Sequence, residues 1–241
     1  MEKLYIVIPA YNEESNIKQV IEDWYPIVEQ YNGDGESRLV IIDDGSKDNT
    51  YSIMQELAKD KPLFTPITKP NGGHGATVLY GYNYALEAGA DFIFQTDSDG
   101  QTLPSEFHEF WDNRNDYDMV IGWRNKREDG TSRVFVTKTL KFVLKLCFGV
   151  TVTDANTPFR LMNSETLRKY IEYVPKDFNL SNVILSVIYA KQECKMKFIP
   201  ITFRPRQGGK NSINMKKIFG IGKKAVKDFR EINKQLKKIE K

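Results

Sequence analysis

The sequence is poor in several features that define other protein classes. Its two cysteines, Cys147 and Cys194, have no close-spaced partner, so neither a disulfide framework nor a zinc site is expected. Its two histidines, His74 and His108, lie too far apart to suggest a metal pair. No apolar run approaches the ~20 residues that span a bilayer. The opening LYIVIP lacks the basic, apolar and small-residue order of a signal peptide, so reduced thiols and a cytoplasmic setting are expected. Internal repeats and low-complexity tracts are missing as well. A net charge of +3 and a pI near 8.6 are too mild to imply nucleic acid, although Lys and Arg gather in residues 124–145 and 204–241.

What is present is ordinary globular composition: 241 residues, 40% hydrophobic and 28% charged, enough for one large α/β domain. Leu4 to Ile8 and Leu39 to Ile42 are continuous apolar runs, closed by Pro9 and by Asp43-Asp44, which is the pattern of buried parallel strands. Between them, Ile17, Val20, Ile21, Trp24, Ile27 and Val28 recur at helical spacing within Asn12 to Tyr31, with Asn12 or Ser15 as cap. The alternation continues with a helix from Ser46 or Asp48 to Ala58, a strand near Phe64 to Thr68, a helix over Thr77 to Ala88 and the strand FIFQ. Beyond these, the spacing predicts a helix from Pro104 to Trp111 and a strand over Met119 to Ile121. An apolar, cationic helix from Arg133 to Phe148 and a loop around Asp154 follow. Helices over Ser164 to Tyr173 and Ser181 to Ala190 lead to a strand at Lys197 to Phe203. The expected organisation is a mostly parallel central sheet flanked by helices over residues 1–212, with a basic amphipathic C-terminal helix over 213–241. Trp24, Trp111 and Trp123 are expected in the core or at a pocket rim, and His108 on a helix surface.

Chemistry concentrates in FIFQTDSDGQ, residues 92–101, where an apolar strand runs straight into Asp97, Asp99 and Gln101. Aspartates disfavour strands and favour turns, so this group belongs at the carboxyl edge of the sheet, where open α/β folds hold ligands. Oxygen-only ligands suit Mg²⁺ or Mn²⁺. Taken alone, Asp-Ser-Asp-Gly is equally an ordinary solvated turn. Two further loops share that edge: Pro9-Ala10-Tyr11-Asn12-Glu13 and Asp43-Asp44-Gly45-Ser46. Acidic groups gathered there accept hydrogen bonds from a base N–H and ribose hydroxyls and hold a cation against a diphosphate, which describes a nucleotide-sugar site. Asn71-Gly72-Gly73-His74-Gly75 adds backbone that can approach a ligand closely, but its position and spacing fail as a dinucleotide signature. Arg124, Arg127, Arg133, Arg204 and Arg206 offer planar cations suited to phosphate oxygens.

In this order, IVIPAYNEESNI, VIIDDGSKDNT, NGGHGA, TDSDGQ and DANTPFRLM resemble the family 2 glycosyltransferases of GT-A fold over roughly residues 3–212. Within that family the likeness is to the dolichol-phosphate mannose synthase and polyprenyl-phosphate glycosyltransferase branch. The resemblance implies inverting transfer of a sugar from a UDP- or GDP-sugar to a polyprenyl phosphate, dolichyl or undecaprenyl, with Mg²⁺ or Mn²⁺ as cofactor. It implies that Asp44 meets the nucleobase and that Pro9, Tyr11 and Glu13 line the nucleotide pocket. Asp97, Asp99 and Gln101 would hold ribose and metal. Asp154 would stand near the acceptor as general base or local organiser, with Asp99 and Arg206 beside it in the catalytic set. Arg124, Arg133 and Arg160 would bind substrate. Thr157-Pro158-Phe159-Arg160 has proline where the family usually has glycine, which stiffens the loop.

Two other functions fit the same sequence: the same donor chemistry with a glycan or other hydroxyl acceptor, and a sugar-nucleotide-binding scaffold without turnover. A nucleotidyltransferase would want a Gly-rich loop with Arg and Lys after the first strand, which is missing. The cationic helix at 133–148 and the stretch 213–239 each suit either an anionic membrane surface, at the inner face of the cell membrane, or packing against the domain or a partner.

Overall fold

The apolar runs near the amino terminus become strands β1 (Leu4–Ala10) and β2 (Arg38–Asp43), paired in parallel from Tyr5 with Arg38 to Ala10 with Asp43. This computed structural model describes residues 2–33, 35–124, 131–205 and 228–237, with backbone alone over 131–138. Helix α1 (Ile17–Gln30) crosses between β1 and β2, burying the apolar stripe from Ile17 to Val28. Helix α2 (Thr50–Ala58) leads to β3 (Phe64–Thr68) outside β2, and α3 (His74–Glu87) leads to β4 (Phe92–Gln95) on the other side of β1. Strand order therefore reverses at β1, and the gap between β1 and β4 is a topological switch point.

Pro9 stands at the mouth of that gap. Alternate residues of a strand aim their backbone groups at opposite neighbours. The Val7 carbonyl accepts from Thr96 on the β4 side and the Ala10 carbonyl from Asp44 on the β2 side, so Pro9 faces β4. Pairing of β1 with β4 ends at Val7 with Gln95, so the N–H that proline lacks costs no ladder bond there.

Three more strands complete the sheet, in the order β3-β2-β1-β4-β6-β5-β7. A single 3-10 turn at Pro104–Glu106 and helix α4 (Phe107–Asp112) precede β5 (Met119–Arg124), which pairs in parallel with β7 (Met196–Ile201). Between β4 and β5 lies β6 (Arg160–Asn163), antiparallel to both. The sequence reads as loop here, because Arg-Leu-Met-Asn is too short to show a period. Since β6 runs against its neighbours, the residues before it, from Asp154 to Phe159, reach the carboxyl edge of the other strands. Helix α5 (Thr131–Phe148) fills the excursion from β5 to this loop, while α6 (Ser164–Ile171) and α7 (Ser181–Lys191) lie between β6 and β7.

Both faces of the sheet are covered, as alternating side chains require. Tyr5 and Val7 of β1 join Val78, Tyr82, Ile184 and Ile188 of α3 and α7. Leu4, Ile6 and Ile8 join α1, α2 and α4 on the opposite face. Helix α3 lies hard against the sheet at Gly81, where an added Cβ would stand 2.4 Å from Val7 Cγ1 and 2.8 Å from Ile42 Cδ1. Aromatic rings fill the other face: Phe94 sits 4.7 Å from Phe159, 4.9 Å from Phe107 and 5.4 Å from Trp24, centroid to centroid. Trp24 and Trp111 are thus core residues, and Trp123 is half-buried. His108 does not lie on a free surface. Its Nδ1 shares a hydrogen bond with the Tyr31 hydroxyl, because α4 packs against the end of α1.

Near the carboxyl end, residues 228–237 are helical and bury Phe229, Ile232 and Leu236. Phe229 meets Phe148 and Phe178, and Asn233 donates to the Cys147 carbonyl. The apolar face of this segment is therefore used by the domain itself. The remainder of the expected appendage, 213–227 and 238–241, lies outside the described residues. Helix α5 differs: Leu144 and Phe148 are buried, but Phe142 is 68% and Leu146 75% exposed.

Candidate active site

Three loops leave β1, β2 and β4 at one edge of the sheet, and hydrogen bonds tie them together. Asn12, at φ +54°, donates its N–H to Ser46 Oγ at 2.8 Å, and its Oδ1 accepts from Lys47 N at 2.8 Å. The short polar side chain of asparagine makes this left-handed position tolerable. Asp43 is structural: Oδ1 accepts from Ser46 N at 3.1 Å and Oδ2 from Thr68 Oγ1 at 2.7 Å.

Asp44 carries the next layer. Oδ1 accepts from Gly72 N at 2.8 Å and from Lys69 Nζ, and Oδ2 accepts from Gly73 N at 2.8 Å. Asn71 Nδ2 donates to the Asp44 carbonyl at 2.9 Å. Burial opposes ionisation, but the hydrogen bonds from Lys69, Gly72 and Thr77 outweigh it and hold the carboxyl below its ordinary value. The Asn-Gly-Gly loop is thus wrapped on one buried carboxylate. Gly73, at φ +86°, ends that loop and its carbonyl accepts from Thr77 N, which starts α3 at His74 rather than at Thr77. At Gly75 an added Cβ would stand 2.1 Å from the Phe178 carbonyl oxygen, so only glycine lets α3 approach the chain ahead of α7.

Asp97 and Asp99 follow β4 directly across the crevice, both partly exposed. Asp97 Oδ1 lies 3.0 Å from His74 Nε2 at the start of α3 and 3.4 Å from Gln95 Nε2. Desolvation lowers the His74 pKa, but Asp97, Asp99 and Asp44 outweigh it, so the value is raised. The imidazole is a site residue that the sequence spacing to His108 did not reveal. Its place immediately after the Asn-Gly-Gly loop was the available signal. Among the described residues no three His, Cys, Asp or Glu side chains close around a metal position by themselves. Asp97 and Asp99 offer hard oxygens, which fits a cation whose other ligands are diphosphate and water, the usual arrangement for Mg²⁺.

Gln101, expected among the metal ligands, uses its amide nitrogen and backbone for another contact, and its side-chain oxygen, the atom a cation would take, is not part of it. Its Nε2 donates to the Arg204 carbonyl at 2.8 Å, and its own carbonyl accepts from Arg204 N at 2.8 Å. It therefore fastens the chain beyond β7 to the acidic loop, and Arg204 Nη2 reaches Gly100 O at 3.2 Å.

Asp154, on the loop before β6, is 6% exposed and meets Arg124 at the end of β5. The guanidinium grips it as a fork, Nε to Oδ2 and Nη2 to Oδ1, both at 2.9 Å. The Arg124 guanidinium also lies 5.2 Å from the centroid of Phe203. Arg124 is thereby an internal partner of Asp154. Arg160, expected to touch substrate, is wholly buried and bonded to backbone carbonyls, because β6 points its side chain inward beneath the loop. Arg127 and Arg206 lie outside the described residues, and so does the side chain of Arg133.

In the nucleotide-side loop, Tyr11 is 42% exposed. Glu13 is buried, with Oε2 accepting from Asn16 Nδ2 at 2.7 Å and its N–H meeting Thr50 Oγ1 at 2.8 Å. That geometry makes it a brace between the β1 loop and α2.

A sheet of this order, with acidic loops at one carboxyl edge and an antiparallel β6, defines a glycosyltransferase of GT-A fold. Residues 5–171 match the family described as Glycosyl transferase family 2, and the chain belongs to that family. The UDP-N-acetylglucosamine–dolichyl-phosphate N-acetylglucosaminyltransferase of Methanococcus voltae is 30% identical over 185 residues, 68% of this chain and 71% of that protein. The undecaprenyl-phosphate 4-deoxy-4-formamido-L-arabinose transferase of Proteus mirabilis is 24% identical over 205 residues, 80% of this chain. The chain spans only 61% of that relative's length. Among solved structures, glucosyl-3-phosphoglycerate synthase from Mycobacterium tuberculosis, determined with Mn²⁺, UDP and glucosyl-3-phosphoglycerate, is similar at a TM-score of 0.66. Sequence identity is 17%, covering 96% of this chain and 80% of that one. At that identity the likeness is one of fold.

Proposed function

We propose that the chain transfers a sugar, with inversion, from a UDP-sugar to a polyprenyl monophosphate at the cytoplasmic face of a membrane, using Mn²⁺ or Mg²⁺ held by Asp97 and Asp99. The observation that carries the acceptor assignment is the Asp154–Arg124 fork. A hydroxyl acceptor needs a base to take its proton, and both Asp154 oxygens are engaged by the guanidinium. A phosphate monoester, with a second pKa near ~6, is already nucleophilic at neutral pH and asks for no such base. The two relatives named above carry dolichyl-phosphate and undecaprenyl-phosphate in their names, in agreement with this reading.

The donor assignment rests on Asp44 and Lys69. Uracil presents one N–H between two carbonyls, matched by a carboxylate beside an ammonium group. The Methanococcus voltae relative carries a UDP-sugar in its name, in agreement with this reading. Tyr11 supplies a ring for the base to stack on.

In the reaction the acceptor phosphate oxygen attacks C1 of the sugar from the side opposite the diphosphate. The new C1–O bond forms as the C1–O bond to UDP breaks, and UDP carries away the electron pair. Asp97 and Asp99 would hold the divalent cation, which would supply charge neutralisation for the departing diphosphate. Asp44 and Tyr11 orient the nucleoside, and Arg204, drawn to the acidic loop through Gly100, stands available to phosphate oxygens. Closer to the lipid, α5 presents Phe142 and Leu146 with Lys141 and Lys145 on the excursion between Arg124 and Asp154, a composition suited to an anionic bilayer surface.

Nucleotide release measured with Mn²⁺, a panel of UDP- and GDP-sugars, and either polyprenyl phosphate or soluble glycans tests the reading. Release only with a UDP-sugar and polyprenyl phosphate is expected. Release with a glycan alone would move the assignment to hydroxyl acceptors, and UDP-sugar binding without turnover under any acceptor would favour a scaffold.

A further inference from the structure

Arg160 heads the fully buried side chains by size, and among the described residues it enters no ion pair. Its guanidinium is spent on oxygen atoms of the acceptor-side loop and of α7. Nε donates to Thr157 O at 3.0 Å, Nη2 to Thr157 O at 2.5 Å and to Ala155 O at 3.1 Å, and Nη1 to Asn182 O at 3.0 Å and Ser186 Oγ at 3.2 Å. Ala155 and Thr157 immediately follow Asp154. Ser186 Oγ reinforces the same point, lying 3.1 Å from Ala155 O.

Stability alone does not call for this arrangement, because a buried cation is often replaceable by apolar residues of similar volume without loss. The loop also does little to hold itself. Thr157 Oγ1 is buried with no hydrogen-bond partner among the described residues, a sign that something else imposes the backbone path. From the same platform a second line runs to the donor side. The Tyr82 hydroxyl lies 2.9 Å from Gln95 Oε1 and 3.3 Å from Asn182 Oδ1, and Gln95 Nε2 approaches Asp97.

We infer that Arg160 is a positioning residue for the transfer: its guanidinium, cross-braced by Ser186, fixes the carbonyls of Ala155 and Thr157 and so sets where Asp154 and Arg124 meet the acceptor. The inference rests on the proposed function. It acts through the loop, without contact to substrate, so its mark is a split between acceptor and donor behaviour.

Two variants of the full chain, Arg160→Met and Ser186→Ala, are assayed with Mn²⁺, a UDP-sugar and polyprenyl phosphate, beside UDP binding by calorimetry and thermal unfolding. Misplacing the groups that seat the acceptor by ~1 Å costs on the order of 100-fold even when they take no part in the bond change, so Arg160→Met should lower kcat/KM for the acceptor by about 10- to 100-fold, and Ser186→Ala by a few-fold. UDP affinity in Mn²⁺ should stay within about twofold of the parent. Arg160→Lys, which keeps the charge but loses the fork, should fail to restore the parent's acceptor kinetics. Parent-like acceptor kinetics in a folded Arg160→Met would overturn the inference, and so would UDP affinity falling in step with turnover. If Arg160→Met does not fold, Ser186→Ala decides alone, and unchanged acceptor KM and kcat there refute the role. Failure of the parent itself to bind UDP would instead refute the proposed function.

Discussion

Asp44→Asn is the sharpest perturbation of the donor side, since it alters one atom and one charge. In the parent, one oxygen faces Gly72 N and Lys69 Nζ and the other faces Gly73 N. An asparagine keeps an acceptor for one of these groups only, and its amide then points donor against donor at the other. A hydrogen bond to a charged group contributes about 1.5–3 kcal/mol, and at least one such bond is lost whichever way the amide turns. Lys69, with 14% of its side chain exposed, also loses its ion-pair partner. We expect the variant to unfold about 2–3 kcal/mol more easily at pH 7 and UDP to bind about 10- to 100-fold more weakly, measured by urea unfolding and calorimetry. The sign with pH follows from the depressed carboxyl. Its folded value lies below its unfolded value, so its stabilisation is complete above the unfolded pKa, near ~3.9, and fades as pH falls through the folded one. The gap between parent and variant should therefore close in acid. A gap that widens below pH ~4, or UDP affinity within twofold of the parent at pH 7, would refute the role given to this carboxylate.

Paired replacement Asp97→Asn and Asp99→Asn should abolish the rise in UDP affinity that Mn²⁺ produces in the parent, read by calorimetry with and without chelator. Retention of that rise would place the cation elsewhere. Phe142→Ser with Leu146→Ser should reduce flotation with anionic vesicles several-fold while leaving thermal stability within ~0.5 kcal/mol, because both side chains are exposed. Equal flotation by parent and variant would show that this edge of α5 is not the contact. Gly75→Ala should destabilise by about 1–3 kcal/mol despite alanine's better helix propensity, since its Cβ would meet the Phe178 carbonyl at 2.1 Å. A variant as stable as the parent in chemical denaturation would contradict that packing.

The parts of the fold legible in the sequence are those where composition and position agree. Leu4 to Ile8 and Leu39 to Ile42 can only be buried strands, and aspartates directly after such runs must fall at the sheet edge. Arg160 is expected at the substrate only through the resemblance of DANTPFRLM to the family motif. Its burial depends on carbonyls of Ala155, Thr157 and Asn182, which converge only in three dimensions. Gln101 also fastens Arg204, far along the chain, through its amide nitrogen, a contact that its place in the turn does not announce. His74 beside Asp97 and Lys69 beside Asp44 join different loops, and no local pattern announces such pairs. The four residues of β6 are too few for periodicity, although the chain's return to the sheet depends on them.

The excursion that begins after Arg124 and comes back at Asp154 has its two ends pinned to each other by that ion pair. On the proposed function, the stretch between the pins should tolerate exchange while the nucleotide half, tied together by its own hydrogen bonds around Asp44, keeps its shape. A graft of the corresponding segment from a relative with another lipid should carry its preference with it, so the molecule is built to diversify in what it glycosylates while conserving what it spends.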